Sequence, residues 1–347
     1  MIYDNLEFHN VQQLAQGEEG RLLCRTPLAL DTALREATVT EYRKPAGAEI
    51  RFVAEALPVS VCLWVEGAPC PAAVYLGDHL YQSLVLSPGR QTVKIEGEDY
   101  LRDLFRTAPR GSFDCRVIRI VFHSLLSRVE YLGRRSPGRV RPPEKQELPG
   151  LRYLAYGTSI THGCNASAAG LPYCSQLARR LHADLYNMGA AGSACLEEGL
   201  GQYLAENYDF DVFTAEISVN MLIQGYTDQE FYERARAFLS PIDRLHPHAL
   251  KAVISILPCF LDYGIRRPAM VSEADRYRRI LRELAEELGF LFLDGPDLLR
   301  PAGLSCDLIH PGDFGMIQLA ENIHKKLMAQ AEAFPFLREA PSEHRLI

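Results

Sequence analysis

The stretch LRYLAYGTSITHGC, Leu151 to Cys164, decides how the chain is read. Its apolar run, Leu151 to Ala155, has the length of a buried strand, and it opens directly into a glycine-flanked turn that carries Ser159. The same texture repeats downstream. Apolar runs at Ala183 to Tyr186, Val212 to Ile217, Ala252 to Leu257 and Phe290 to Leu293 alternate with helix-length segments near 172–182, 228–245, 271–288 and 313–330. In the last segment Met316, Ala320, Ile323 and Leu327 fall on one face at the 3.6-residue period, with Glu321, Lys325 and Lys326 elsewhere, while Pro172 suits a first helical turn. Strands alternating with helices predict an α/β domain over 151–330, with a parallel sheet covered on both faces and ligands beyond the strand carboxyl ends.

Upstream, the pattern is shorter. Ala37 to Tyr42, Glu49 to Ala54, Val59 to Val65, Ala72 to Leu76, Gln91 to Ile95 and Cys115 to Phe122 read as strands, and VSVCLWVE and CRVIRIVFH nearly alternate as half-buried antiparallel strands do. Residues 1–133 are therefore expected to form an all-β, jelly-roll-like sandwich. The segment 134–150, RRSPGRVRPPEKQELPG, has no period and reads as a linker, and 331–347 as a C-terminal tail.

Composition narrows the function classes. At 347 residues the chain exceeds what one core usually holds, and its 47% hydrophobic content can supply two. A net charge of -7 disfavours nucleic acid and anionic membrane as partners. Nine scattered cysteines without a CxxC pair point to neither a disulfide framework nor a zinc site, and they fit a reducing compartment. The N-terminal stretch MIYDNLEFHNVQQL lacks a basic and apolar leader, so a cytoplasmic protein is expected. No GxxxxGK[ST] loop and no GxSxG elbow occur, which argues against a nucleotide phosphohydrolase and an ordinary α/β-hydrolase.

Four loops that follow successive strands would meet at one sheet edge. They carry Gly157, Thr158 and Ser159; Asn187 to Ser193, NMGAAGS; Ser218 to Met221, SVNM; and Asp307 to Pro311, DLIHP. A serine hydroxyl needs a base, and a histidine oriented by a carboxylate is the usual one. His310 with Asp307 three residues earlier suits that role, with Nε2 turned to Ser159. A developing oxyanion needs fixed donors, which the N–H groups of Ser159 and Gly192 and the amide of Asn220 could supply. Thr158, His162 and Met221 are candidate substrate contacts. The competing readings are plain ones. Ser159 could cap a turn, and Cys164, Cys174 and Cys195 could be packing residues or, for one of them, a thiol nucleophile. NMGAAG lacks the GxGxxG spacing of a dinucleotide loop.

The blocks GTSITHG, NMGAAG, SVNM and DLIHP resemble those of the SGNH/GDSL hydrolases, in family order over residues 151 to about 330. Thr158 stands where that family has an aspartate, and SVNM stands for GGND. The resemblance implies a flavodoxin-like three-layer domain and a serine esterase: Ser159 as nucleophile, His310 and Asp307 as the rest of the triad, and Ser159, Gly192 and Asn220 as the oxyanion hole. It implies no cofactor and no metal. The subgroup with an N-terminal β-sandwich resembles carbohydrate esterases, so the expected substrate is a short acyl ester, acetyl first, on a sugar or short oligosaccharide, with monomer and homo-oligomer both open. A lipase or thioesterase acting on non-sugar esters, and a non-catalytic carbohydrate-binding protein, are the alternatives.

Overall fold

The computed structural model describes residues 1–96, 111–265, 267 and 270–338. The N-terminal half holds two antiparallel sheets. In the first, β1 (Ile2–Tyr3), β2 (Leu6–His9), β5 (Glu49–Ala54), β10 (Ile118–Phe122), β7 (Cys70–Leu76) and β8 (His79–Leu86) lie in that order, with β12 (Val140–Arg141) also on β5. In the second the order is β3 (Gln13–Gln16), β4 (Arg21–Cys24), β11 (Ser127–Arg135), β6 (Val59–Gly67) and β9 (Gly89–Ile95). Alternate residues of both sheets, such as Phe8, Ile50, Phe52 and Val74 against Val61, Leu63, Val93 and Val129, close one apolar core. The segment 134–150 is tied into this half, because β12 pairs with β5 and Glu147 takes both guanidinium nitrogens of Arg141 at 2.7 Å.

One expected strand is a helix. Ala37 to Tyr42 lies in α1 (Glu36–Tyr42). Its threonines, valine and tyrosine have the composition of a strand, but the segment packs against the C-terminal half, and fully buried Tyr42 belongs to that half's core.

The C-terminal half is a five-stranded parallel sheet. Its strands are β13 (Leu151–Gly157), β14 (Ala183–Gly189), β15 (Val212–Glu216), β16 (Leu250–Ile254) and β17 (Leu291–Leu293). They stand in the order β14-β13-β15-β16-β17, the 2-1-3-4-5 arrangement of a doubly wound fold. The helices are α2 (Ser159–His162), α3 (Tyr173–Leu181), α4 (Glu198–Asn207), α5 (Val219–Ile223), α6 (Asp228–Leu245), α7 (Val271–Leu288), α8 (Gly295–Leu298) and α9 (Asp313–Met328). Successive residues of β13 serve opposite layers: Leu154 and Tyr156 meet α4, α6 and α7, whereas Tyr153 and Ala155 meet α3 and α9. Met316, Ala320, Ile323 and Leu327 are all fully buried, as the 3.6 period requires. The tail is packed as far as Leu337, and residues 339–347 lie outside those described. No helix among the described residues is long and apolar enough to cross a membrane.

The two halves meet along β14, an edge of the parallel sheet. Its outward carbonyls at Leu185, Asn187 and Gly189 accept from His9 Nε2 at 2.7 Å, Asn10 Nδ2 at 2.9 Å and Arg25 Nη2 at 3.0 Å. Every second residue of a strand presents its carbonyl to the same edge, so a row of donors on the sandwich covers it. Beside them fully buried Arg51 donates to both oxygens of Asp184, at 2.9 and 2.6 Å.

Candidate active site

The sheet order reverses between β13 and β15, and the loops leaving those strands are the ones that carry Ser159 and Asn220. Ser159 is the first residue of α2, at the carboxyl end of β13. Its Oγ lies 2.7 Å from Nε2 of His310, whose Nδ1 lies 2.7 Å from Oδ2 of Asp307. Ser159, His310 and Asp307, chosen from the sequence, are thus brought into one chain of hydrogen bonds.

The loop that holds Asp307 and His310 turns sharply at Leu308, φ 57°, which lets the N–H groups of Ile309 and His310 double back onto Asp307 Oδ1 at 2.9 and 3.0 Å. Burial opposes the charge on Asp307. The N–H and imidazole of His310, the N–H of Ile309 and the Ser305 hydroxyl outweigh it and hold the carboxyl well below the usual carboxylate range. Asn165, just past α2, donates from Nδ2 to Ser305 Oγ at 2.8 Å and to Asp307 Oδ2 at 3.1 Å, tying the serine's loop to the acid's. Nothing in the sequence singles out Asn165, since its partners come from a loop 140 residues away.

The donors expected for an oxyanion are set up by what surrounds them. Gly192 has φ 67°, a left-handed conformation that favours glycine, and an added Cβ there would meet nothing within 4 Å. Backbone shape is therefore its reason for being glycine. The N–H of Ala191 donates to His162 Nδ1 at 3.3 Å, that of Ser193 to the Ala190 carbonyl at 3.1 Å, and that of Ala194 to Asn220 Oδ1 at 3.2 Å. Between these, the N–H of exposed Gly192 has no acceptor among the described residues, nor has that of Ser159. Because Oδ1 of Asn220 is taken by the loop, its Nδ2 is the end left for a ligand.

Three expected substrate contacts are corrected. Thr158, His162 and Met221 are each 0% exposed. His162 falls on the inner side of the single-turn helix α2, where Nε2 faces the Ser124 carbonyl at 3.2 Å and Nδ1 accepts from Ala191. Burial, then the Arg25 charge, pushes it well below its ordinary pKa, so it is a neutral buttress of the loop before Gly192. Met221 faces the core beneath α5. Thr158 caps α2 and gives its N–H and hydroxyl to Glu216 Oε2 at 3.0 and 2.6 Å.

Glu216 escaped the sequence reading. It ends β15, is 1% exposed, and also accepts from Thr161 Oγ1 at 3.2 Å. Burial raises its pKa to about 7 against the opposing hydrogen bonds of Thr158 and Thr161. An acidic residue closing a mostly apolar strand, VFTAE, was the signal available. Cys174 and Cys195 are buried with thiols pushed upward by burial, and Cys164 is raised likewise, which is the behaviour of packing residues. Among the described residues no three His, Cys, Asp or Glu side chains cluster to hold a metal.

Residues 155–316 match the model of the GDSL-like lipase/acylhydrolase family. No curated protein matches the chain. Among solved structures, a salicylyl-acyltransferase from a tetracycline biosynthetic pathway superposes with a TM-score of 0.73 at 17% identity, over 94% of this chain and 95% of that one. A family two carbohydrate esterase from Clostridium thermocellum, in complex with cellohexaose, gives 0.61 at 14% identity, over 95% and 98%. An acetyl xylan esterase from the rumen bacterium Butyrivibrio proteoclasticus gives 0.57 at 11% identity, over 97% and 98%. Likeness at such identities extends to the fold of both halves.

Proposed function

We propose that this chain, which carries a domain of the GDSL-like lipase/acylhydrolase family over residues 155–316, is a serine esterase that removes short acyl groups, acetyl first, from a carbohydrate. The observation that carries the reading is the hydrogen-bonded series Ser159, His310, Asp307, with 2.7 Å at each link, beside N–H donors that no acceptor among the described residues takes. His310 takes the Ser159 proton as Oγ attacks the ester carbonyl, and Asp307 stabilises the imidazolium that forms. The carbonyl oxygen, now an alkoxide, accepts from the N–H groups of Ser159 and Gly192 and from Asn220 Nδ2. As the tetrahedral adduct collapses, the proton passes from His310 to the departing alcohol. Water, activated by the same imidazole, then releases the acid from Ser159. Support for a sugar as the alcohol comes from the carbohydrate esterases of like fold, one of them in complex with cellohexaose.

A second reading shares the first half of this sequence. An acyl-enzyme can deliver its acyl group to an alcohol instead of water, and the likeness to a salicylyl-acyltransferase favours testing it. The experiment is hydrolysis of p-nitrophenyl acetate, butyrate and octanoate, with acetate release from acetylated xylo- and cello-oligosaccharides, by the wild type and Ser159→Ala. Acetate-selective activity that falls by about a thousandfold or more in the variant is expected. Ester product formed on adding an acceptor alcohol would mark the transferase. Activity indifferent to Ser159→Ala, or sugar binding without turnover, would refute the serine mechanism and favour a carbohydrate-binding protein.

A further inference from the structure

Arg35 lies in the N-terminal half, immediately before α1, and its guanidinium reaches three acceptors of the C-terminal half. Nη2 donates to the Ser193 carbonyl at 3.0 Å, Nη1 to Gln224 Oε1 at 3.3 Å and Nε to Glu197 Oε1 at 3.0 Å. Two of these lead to the donors beside Ser159. The Ser193 carbonyl belongs to the same planar peptide as the Ala194 N–H that holds Asn220 Oδ1 at 3.2 Å. Fixing the carbonyl fixes the opposite direction of the N–H, and this decides which end of the Asn220 amide is left free. Gln224, the residue that follows α5 and lies one turn beyond Asn220, passes the second contact on: its Nε2 donates to the Gly192 carbonyl at 2.8 Å.

We infer that Arg35 is a positioning residue for the oxyanion hole, setting the Gly192 N–H and the Asn220 amide together from outside the α/β domain. The inference rests on the esterase reading above. Topology supplies the need for such a part. The Gly192 loop leaves β14 and the Asn220 helix follows β15, and in the sheet these strands are separated by β13, which carries the nucleophile. No ladder hydrogen bond therefore joins β14 to β15. A planar, charged fork with several donors matches acceptors on both loops at once, which a lysine point charge does not. Thr38 on α1 reinforces the same place, with Oγ1 2.6 Å from Glu197 Oε1 and 3.4 Å from the Ser193 carbonyl. The Arg35 side chain is 36% exposed, so a core-filling role does not account for it.

The test is a kinetic comparison on p-nitrophenyl acetate of the full-length wild type, Ser159→Ala, Arg35→Ala, Arg35→Lys, Asn220→Ala and the Arg35→Ala/Asn220→Ala double variant. Misplacing donors by a fraction of an ångström to an ångström should lower kcat in Arg35→Ala by about tenfold to a hundredfold, with KM little changed. Millimolar guanidinium ion should restore part of the loss, and Arg35→Lys should not. In the Asn220→Ala background the further cost of Arg35→Ala should shrink, because both act on one hole. Gln224→Leu, which removes the contacts of Gln224 to Gly192 and to Arg35 Nη1 but leaves Arg35 on the Ser193 carbonyl, should show a smaller fall and gives a readout if Arg35→Ala does not fold. A Ser159-dependent wild type with full kcat in Arg35→Ala and Gln224→Leu overturns the positioning role and leaves the esterase standing. A loss additive with Asn220→Ala and deaf to guanidinium also overturns it, in favour of a structural salt bridge. A wild type without Ser159-dependent hydrolysis brings down the esterase reading and this inference with it.

Discussion

Replacing Ser218 with glycine should make the protein more stable. Ser218 sits between β15 and α5 with φ 104° and ψ −49°, a backbone shape that a residue with a Cβ holds only under strain. Its side chain is fully buried, and its hydroxyl has no hydrogen-bond partner among the described residues. Such a conformation costs about 1–3 kcal/mol. A buried hydroxyl left without a partner costs a further amount of about 1–3 kcal/mol. Glycine removes both, against about 0.5–1 kcal/mol for the greater freedom of the unfolded chain. The balance is a gain of about 1 kcal/mol at the least. In the GGND block that SVNM resembles, a glycine stands at this position. The backbone at Ser218 has a conformation that glycine adopts more readily.

The assay is urea unfolding monitored at the far-ultraviolet circular dichroism band, reading the midpoint at constant m-value. Ser218→Ala separates the two contributions, because it removes the hydroxyl and retains the Cβ. It should recover the hydroxyl's share alone, with Ser218→Gly adding the strain. A midpoint for Ser218→Gly at or below the wild type would refute the argument, since neither strain nor an orphan hydroxyl would then be present to relieve.

Two further outcomes follow from the same geometry. Glu216 has its pKa raised to about 7 in the fold, above the ordinary glutamate value, so its contribution to stability is fully present below about pH 4.3 and is lost as pH rises towards 7. Glu216→Gln, compared with wild type by thermal unfolding across that window, should remove a downward slope worth at most about 4 kcal/mol; equal slopes in the two proteins would refute the assignment. Asp307→Asn should preserve the fold and lower kcat by about ten-thousandfold through the wrong imidazole tautomer, measured on p-nitrophenyl acetate; a loss under tenfold would show that Asp307 does not orient His310.

Legibility in the sequence followed the range of the interaction. Four helices and five strands of the C-terminal half were readable because burial on one face imposes a period: Met316, Ala320, Ile323 and Leu327 repeat it, and all are buried. Ser159, His310 and Asp307 were readable because the chemistry restricts residue type and the strand ends restrict place. Ala37 to Tyr42 misled, since its pattern fits a strand and the choice of helix was made by packing against another half of the chain. The expected contacts Thr158, His162 and Met221 failed for a related reason. Nearness in sequence to Ser159 or Asn220 says nothing about which side of a one-turn helix a residue occupies, and all three point inward. Asn165, Glu216 and Arg35 act through single polar contacts to distant loops, and a single polar residue carries no period to betray it.

The departures from the SGNH/GDSL blocks become intelligible at this level. The aspartate missing at position 158 has a counterpart in space, because Glu216 brings a carboxyl group to the N–H and hydroxyl of Thr158 from the neighbouring strand. The weakened third block keeps the Asn220 amide, whose orientation is secured by the peptide between Ser193 and Ala194, held on its other side by Arg35 and Thr38. The N-terminal half therefore bears on the candidate site as well as on the fold. Its donors close the open edge of β14 at Leu185, Asn187 and Gly189, and directly after Gly189 the chain enters the loop that carries Gly192. A sheet edge left to water would be free to fray or to pair with another strand. In the proposed mechanism that loop receives the oxyanion, so the contacts that complete the fold would also prepare the site.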